Sequence, residues 1–440
     1  MPAFPEAAVH SIRTSSPPRG ALLVIFLTVF IDLLGFGIVL PVMPRQAEPY
    51  LTAIGLSPLA KGAMIGVLFS VFSLMQFIFS PLWGRVSDRI GRRPILLLSL
   101  SGSVVFYALY GFAVTFPPEQ AVLALSLMLL SRIGAGIAGA SVGTAAAVIA
   151  DCTTPEKRAR GMALIGIAFG AGFTLGPLIA YFGLVLFKRE PWGVGALASI
   201  LSLLALLIAI FVFKETRTLT HRAGRDFFSV GRTASVLMMP TVGALVLTYF
   251  LSIFAFANFE ATLALLTKEA FGMADNDNFL VFAFIGVVLM FAGGLYRPLA
   301  QRLPETRLLT AGVFLMILGL GGLGVIAWLV HAWLPTHASG LGVLRATFYS
   351  ASAVAVVGFA FVNPSVSALV SQRTDPSRQG EVLGVNQSFA SLGRILGPLC
   401  GSILFSLNAS RCLPYVAAVT TLLFVVMLLP RSITHESINR

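Results

Sequence analysis

Apolar residues run along this chain in long stretches that short polar segments separate. The stretches cover about residues 21–43, 62–83, 94–116, 120–150, 160–187, 193–213, 239–266, 278–300, 308–333, 343–371, 379–407 and 411–430. A helix of about 20 apolar residues crosses the hydrocarbon core of a bilayer. The pattern therefore predicts an all-α polytopic membrane protein with twelve transmembrane helices.

The longest polar segment between the helices divides them into two sets of six. We predict a cytoplasmic tail over residues 1–20, a six-helix bundle over 21–213, a cytoplasmic linker over 214–238, a second six-helix bundle over 239–430 and a cytoplasmic tail over 431–440. The halves also repeat, since Pro155, Gly172, Gly176 and Pro177 match Pro376, Gly393, Gly397 and Pro398 at one offset of 221 positions. A constant offset along a helix indicates two pseudo-symmetric bundles.

Composition and charge fit a protein embedded in lipid. Charged residues make up 11% of the chain, against about 25% in soluble domains, and the mean hydropathy is +0.90. Of the 30 Lys and Arg residues, 21 lie in the segments on the side of the N-terminus. Because cytoplasmic segments collect these residues, we expect both termini in the cytoplasm of a bacterial inner membrane. This distribution also explains the net charge of +12, so the positive charge does not indicate that the protein binds nucleic acid.

No catalytic or metal-binding motif accompanies the helices. The sequence has no Walker loop, no H-E-x-x-H and no G-x-S-x-G, and Cys152, Cys400 and Cys412 form no C-x-x-C pair. We therefore expect no enzymatic activity, no cofactor and no metal site. The expected partners are a small-molecule substrate, protons and the lipid bilayer, and the chain is expected to be a monomer.

The segment Trp83–Pro94, WGRVSDRIGRRP, concentrates charge between two apolar stretches. We interpret it as a turn between helices 2 and 3 that serves as a gate at the inner face. Asp88 is expected to meet a helix N-terminus or an arginine of the other half, because anions are favoured at positive helix ends. The second half carries a copy at Tyr296–Arg307 in which Gln301 replaces Asp88. The sequence thus predicts that Asp88 does most to hold the inner side shut.

Four segments together resemble the major facilitator superfamily, and within it the drug:proton antiporters that include tetracycline efflux proteins. They are Gly84–Arg93, Phe30–Pro44 (FIDLLGFGIVLPVMP), Ser131–Ala140 (SRIGAGIAGA) and Gly170–Pro177 (GAGFTLGP). The resemblance implies an inner gate that includes Gly84, Asp88, Arg89, Gly91, Arg92 and Asp151, with Arg92 reaching Asp151. It also implies that Gly170, Gly172, Gly176 and Pro177 form an antiporter motif that suppresses leak at the seam between the halves.

Helix 7 is similar to a subgroup that includes vertebrate tetracycline-transporter-like proteins, on the segment Phe256–Gly272. The chain departs from the tetracycline exporters in helix 9, which has no acidic residue.

Charged residues inside the predicted helices require an explanation, since each raises the free energy of membrane insertion by about 2.5–3.5 kcal/mol at the bilayer centre. Asp32 lies near the middle of helix 1, where a buried acid can exchange a proton or can serve packing alone. Glu260 in helix 7 is interpreted as a second protonatable group, a counter-charge for a cationic substrate, or a residue that reaches the interface. Arg132 in helix 4 needs a carboxylate or an anionic substrate, and Asp32 is its expected partner.

Other polar residues in the spans form a second set of candidates. Arg394 in helix 11 either reaches the gate or binds anions of the substrate. The amides that line a cavity or join helices are Gln76, Asn258, Asn363, Asn386 and Gln387.

Three functions remain open from the sequence. The first is proton-coupled export of a small amphipathic organic compound or drug by alternating access, with Asp32 and Glu260 exchanging a proton and Arg132 tuning them. The second is a facilitator or symporter for organic anions or other small metabolites, with Arg132 and Arg394 as binding charges. The third is a membrane sensor that transports nothing.

Overall fold

The structure is a computed structural model that describes residues 21–152, 155–216, 230–332, 340–375 and 378–433. Its helices are α1 Ala21–Val39, α2 Met43–Ala53, α3 Pro58–Ile90, α4 Arg92–Ala113, α5 Ala121–Ala138, α6 Val142–Cys152, α7 Pro155–Leu186, α8 Gly193–Val212, α9 Val230–Leu237, α10 Pro240–Phe271, α11 Asp275–Ala300, α12 Glu305–Ala332, α13 Leu341–Gln372, α14 Gln379–Leu407 and α15 Leu413–Ile433.

These helices account for the predicted membrane spans. Within the described part of the chain, nine helical segments are long and apolar enough to cross a bilayer. Shorter apolar segments at Leu22–Ile31, Thr174–Leu186 and Leu413–Leu429 occupy the remaining predicted spans. A helix satisfies its own backbone hydrogen bonds, which is why this all-α architecture suits lipid.

Two predicted spans are broken rather than continuous. The first ends at Val39 and resumes at Met43 as α2, with Pro41 in the break and Pro44 in the first turn of the new helix. Proline lacks the N–H that a continuing helix needs, but it is tolerated at a helix start. The fourth span is interrupted by the 3₁₀ segment Gly139–Ser141, between α5 and α6.

The charged segment between helices 2 and 3 is mostly helical, which differs from the predicted turn. Helix α3 continues to Ile90 and α4 begins at Arg92, so Gly91 is the only residue between them. Gly91 has a φ of 106°, a conformation that glycine adopts without strain. The predicted linker also contains a short helix, α9, while residues 217–229 lie outside the described residues.

Glycines bring helix pairs into close contact in each half at equivalent positions. In the first half, a Cβ on Gly176 of α7 would lie 2.7 Å from the carbonyl carbon of Gly37 in α1. In the second half, a Cβ on Gly397 of α14 would lie 2.7 Å from the carbonyl oxygen of Phe254 in α10. The repeat read from the sequence therefore appears in the packing.

Two of the helix pairs that join the halves are α3 with α14 and α7 with α11. The Ser70 hydroxyl of α3 donates a hydrogen bond to the Ile395 carbonyl of α14. The Thr174 hydroxyl of α7 donates to the Gly286 carbonyl of α11 at 2.8 Å. These contacts set the seam that positions the candidate site.

Candidate functional site

Glu260 and Arg394 line one cavity at the seam between the halves. Its walls are Leu40, Phe69 and Ser73 from the first half and Ala257, Glu260, Ala261, Arg394 and Pro398 from the second. The cavity measures about 10 Å³, which is near the smallest volume that holds one water molecule. The sequence supplied these two charges on separate helices, and the fold brings them together.

The two charges attract each other without a direct ion pair. Arg394 interacts electrostatically with Glu260, and its own hydrogen bond goes to the Ser391 hydroxyl at 3.3 Å. A buried guanidinium is tolerated when an opposite charge compensates it. Glu260, which lines the same cavity, therefore contributes compensating charge for Arg394. It lies outside the span of Arg394, and sequence reasoning did not identify it as a partner.

Tyr249 belongs to the same group of polar side chains, and the sequence analysis missed it. It is buried in α10, and its hydroxyl donates to Asn363 Oδ1 of α13 at 2.6 Å. It also interacts electrostatically with Arg394. The available signal was a tyrosine inside a predicted span.

A polar face of α14 leads from its first turns toward Arg394. The face carries Gly384, Gln387, Ser388 and Ser391, each three or four positions from another member of the set. Gly384 and Gln387 are exposed. Residues at this spacing share one side of a helix. Polar groups exposed within a span favour a water-filled cavity over lipid contact. The first turns of α14, where this face begins, lie at the predicted inner side of the membrane.

Arg132 is buried within the first half, with 2% of its surface exposed. Its Nε donates to the Leu68 carbonyl at 3.3 Å and its guanidinium lies 4.4 Å from the centre of the Phe72 ring. Among the described residues, its Nη1 has no hydrogen-bond partner. A buried N–H without an acceptor is costly, so Arg132 has capacity for a further anion.

The expected partner of Arg132 falls outside what the structure describes. Asp32 lies in α1, but its side chain is outside the described residues. The Tyr107 phenol packs directly against Gly35, one turn beyond Asp32. Tyr107 also interacts electrostatically with Arg132, so Tyr107 connects Arg132 with the segment of α1 that carries Asp32.

The predicted cavity amides differ in their surroundings. Gln76 donates to the Gly139 carbonyl at 3.0 Å, and Asn258 donates to the Pro414 carbonyl at 3.3 Å. These two side chains join neighbouring helices. Asn363 and Gln387 are exposed, whereas Asn386 is buried.

The predicted gate is organised around Arg92. Its guanidinium pairs with Asp88 one turn earlier at 2.7 Å and donates to the Ser87 hydroxyl at 2.6 Å. The Asp88 side chain is 55% exposed, and Arg89 is exposed as well. The side chain of Asp151, the expected partner of Arg92, lies outside the described residues.

Glu215 binds the start of α4, a contact that sequence reasoning missed. Its carboxylate accepts hydrogen bonds from the backbone N–H groups of Arg92 at 2.9 Å and Arg93 at 3.0 Å. A carboxylate is favoured there because the first N–H groups of a helix are unpaired and carry partial positive charge. The signal was an acid placed directly after helix 6. This contact ties the gate to the beginning of the linker.

The helix 5 motif serves two different contacts. Gly176 meets Gly37 of α1, and the Gly172 carbonyl oxygen lies 2.8 Å from where a Cβ on Gly37 would stand. These glycines therefore pack within the first half, whereas Thr174 between them bonds to the second half. The surroundings of Gly170 lie outside the described residues.

Comparisons with known proteins place this arrangement in a family. A sequence profile described as "Major Facilitator Superfamily" matches residues 25–344 and 332–439. The chain belongs to the major facilitator superfamily. The proteins similar to it are transporters rather than enzymes, and the twelve-helix, two-bundle fold of this superfamily confirms the predicted architecture.

Two groups of relatives resemble the chain along almost its whole length. It is 30% identical to major facilitator superfamily domain-containing protein 10 of Mus musculus, over 93% of this chain and 92% of the relative. It is 29% identical to the class E tetracycline resistance protein of Escherichia coli, over 91% of this chain and 92% of the relative. The predicted resemblance to tetracycline efflux proteins is therefore confirmed.

Solved structures agree with this assignment. The human organic anion transporter MFSD10 matches with a TM-score of 0.61 and 28% identity, over 94% of this chain and 99% of that one. A D-xylose–proton symporter matches with a TM-score of 0.70 over 93% of this chain and 98% of that one. At 18% identity, the second match concerns the fold alone.

Proposed function

We propose that this membrane transporter exports a small amphipathic organic compound in exchange for protons, by alternating access of its two halves. The observation that carries the proposal is the position of Glu260, which shares a cavity with Arg394 at the seam between the halves. A carboxylate at this seam is enclosed when the halves meet and meets water when they separate. It can therefore take up a proton from one side and release it to the other.

The first half supplies a second coupling group in this proposal. Asp32 in α1 exchanges a proton, and Arg132 adjusts its affinity for that proton. Support comes from the buried guanidinium of Arg132, whose Nη1 has no acceptor among the described residues. Support also comes from Tyr107, which packs against Gly35, one turn after Asp32. Tyr107 also interacts electrostatically with Arg132.

The inner gate closes through Asp88, Arg92 and Asp151 in this proposal. Support comes from the position of Arg92, which already holds Asp88 and Ser87. Both termini are proposed to lie in the cytoplasm, because the segments on their side of the membrane hold 21 of the 30 Lys and Arg residues.

Organic anions are the second candidate substrate class. Two arginines inside the spans, Arg132 and Arg394, offer N–H groups that a substrate carboxylate accepts well. The similar human structure is that of an organic anion transporter. In this case the two arginines bind substrate, and the chain acts as a facilitator or symporter.

The test is proton movement in liposomes that contain the purified protein and a pH-sensitive dye. A panel of cationic, neutral and anionic amphipathic compounds is added, and the dye reports whether the lumen acidifies or alkalinises. Asp32→Asn and Glu260→Gln should abolish the proton movement that the wild type shows with its substrate. Glu119→Gln, which removes an exposed acid just before the predicted span at about 120–150, is the matched control.

Direction and coupling separate the two candidates. Antiport predicts that proton flux opposes substrate flux and that an uncoupler stops accumulation. A facilitator for organic anions predicts substrate movement that an uncoupler leaves unchanged, and a symporter predicts proton flux in the same direction as substrate flux. Normal proton movement in Asp32→Asn liposomes would show that the assignment of Asp32 is wrong.

A further inference from the structure

Arg45 is a buried cation at the predicted outer end of helix 1, with 8% of its surface exposed. It donates four hydrogen bonds: to the Met273 carbonyl at 2.9 Å, to the Thr267 hydroxyl at 3.0 Å, to the Ala264 carbonyl at 3.3 Å and to the Asp275 carboxylate at 2.8 Å. Every one of these acceptors belongs to the second half. Sequence reasoning did not single out Arg45.

The contacts continue from Arg45 back to the break in helix 1. The Thr267 hydroxyl donates to Asn278 Oδ1 at 2.8 Å. The Asn278 amide donates to the Pro41 carbonyl at 2.8 Å. This carbonyl lies in the non-helical break, so it lacks the backbone hydrogen bond that a continuous helix would provide. We call Arg45, Thr267, Asp275, Asn278 and Pro41 the outer lock.

The part of helix 1 that carries Arg45 is anchored in its own half. In α2, Gln46 accepts a hydrogen bond from the Tyr110 hydroxyl at 2.6 Å and donates to the Pro191 carbonyl at 3.1 Å. The Tyr50 hydroxyl donates to the Phe116 carbonyl at 2.8 Å. Because α2 is fixed to the first half, the bonds of Arg45 join the two halves and must break when the halves separate on this side.

The outer lock lies directly next to the cavity of Glu260 and Arg394. Leu40, the residue before Pro41, lines that cavity. Ala264, which accepts from Arg45, stands one helical turn after Glu260 in α10. The polar face of α14 approaches the same cavity from the opposite, predicted inner side. The cavity is thus closed by the lock on one side and approached by exposed polar residues on the other.

The strength of the lock lies in its buried contacts. Asp275 is 60% exposed, and an exposed partner contributes little to an ion pair. The two carbonyls and the Thr267 hydroxyl accept from Arg45 in a buried setting, where a hydrogen bond to a charged group contributes more. Removing Arg45 should therefore weaken the lock far more than neutralising Asp275.

We infer that Arg45 is a positioning residue of the transport cycle, which holds the predicted outer side shut and decides when the cavity of Glu260 opens there. The functional meaning of that opening rests on the proposed role of Glu260. The lock itself is a property of the two halves and does not depend on which ion or substrate the cavity takes.

The test measures access to the cavity in lipid nanodiscs, where both faces of the bilayer meet the solution. Cys152, Cys400 and Cys412 are first replaced by serine, and Ala261→Cys then places a thiol in the cavity wall. The rate of labelling by a hydrophilic maleimide is compared with and without Arg45→Gln. We expect Arg45→Gln to raise the rate about tenfold, since losing several hydrogen bonds to a charge shifts a two-state equilibrium by at least that factor.

Lys268→Gln is the matched control. Lys268 pairs with Glu48 across the same halves and on the same face, with side chains 43% and 38% exposed. Since such an exposed pair contributes little, its loss should leave the labelling rate within about twofold. Equal effects of Lys268→Gln and Arg45→Gln would contradict the inference, because any contact on this face would then suffice.

A second thiol separates a lock from a general loosening. Gln387→Cys places it on the exposed polar face of α14, in the same cysteine-free background. If Arg45 sets the balance between two states, Arg45→Gln should lower labelling at residue 387 while raising it at residue 261. Faster labelling at both positions would mean that the variant has lost its packing, and an unchanged rate at residue 261 would mean that Arg45 locks nothing.

The lock and the proposed function fail in different ways. Normal proton movement in Glu260→Gln liposomes would overturn the coupling role and leave the labelling result untouched. Unchanged labelling in Arg45→Gln would overturn the lock and leave the coupling role in place.

Discussion

Gly176 of α7 lies so close to Gly37 of α1 that a Cβ on Gly176 would stand 2.7 Å from the Gly37 carbonyl carbon. That distance is too short for two carbon atoms, so the two helices must move apart to admit a methyl group. We predict that Gly176→Ala lowers the free energy of unfolding by about 1–3 kcal/mol. Thermal unfolding of the purified protein in detergent measures the effect.

Gly384→Ala is the control for that prediction. Gly384 lies in α14, where an added Cβ would meet no atom within 4 Å. Replacing a helical glycine by alanine in open space stabilises by up to about 1 kcal/mol. A similar loss of stability in both variants would show that the contact with Gly37 is not the cause.

Two glycines of the charged gate should respond in opposite ways. Gly91 has a φ of 106°, and a Cβ there would overlap the Glu215 carboxylate. Gly84 is helical and an added Cβ would meet no atom within 4 Å. Gly91→Ala should therefore cost about 1–3 kcal/mol, whereas Gly84→Ala should be neutral or slightly stabilising. The melting temperatures of the two variants provide the comparison.

Glu260 and Arg394 should be coupled in stability. Glu260→Gln leaves Arg394 without its compensating charge, and Arg394→Gln leaves Glu260 without its own. The double variant removes both charges and should be more stable than the sum of the single changes predicts. We expect an interaction energy of about 0.5–3 kcal/mol from a double-mutant cycle on thermal or chemical unfolding. Additive effects would mean that the shared cavity does not couple the two residues.

Asp88 should affect the balance of conformations more than the stability of the fold. The Asp88 side chain is 55% exposed although Arg92 is buried, and an ion pair with an exposed partner contributes about 0–1 kcal/mol. Asp88→Asn should leave the melting temperature almost unchanged and shift the protein towards its inward-facing state. Faster maleimide labelling of Gln387→Cys is the expected result, and an unchanged rate would contradict the role of Asp88 as a gate.

The fold could be predicted because its main determinants lie along one helix at a time. Apolar stretches fix the spans, and the matched glycines of α7 and α14 fix a repeat that reappears in their packing. The pattern of charged residues did not predict that the gate segment is mostly helical. Five charged residues suggested a turn, but Gly91 alone provides the reversal, and α3 keeps its backbone hydrogen bonds up to that residue.

The candidate site was harder to predict because it depends on how helices face one another. Glu260 and Arg394 were each identified as unusual, yet which acid compensates which arginine depends on the rotation of α10 and α14. Arg45 resembled any loop arginine until its acceptors in the second half were visible. Glu215 could not be predicted for a similar reason. Its partners are backbone N–H groups, which every residue except proline carries, so the sequence does not show which of them it binds.

The break after Val39 divides helix 1 into two pieces with different attachments. The first piece, α1, packs through Gly37 against α7. The second piece, α2, is fixed to the first half through Gln46 and Tyr50 and bonds through Arg45 to the second half. A continuous helix would transmit any tilt of one piece rigidly to the other. With Pro41 between them, α1 can tilt while the bonds of Arg45 at α2 stay intact, so the halves can separate at one face of the membrane while they remain joined at the other.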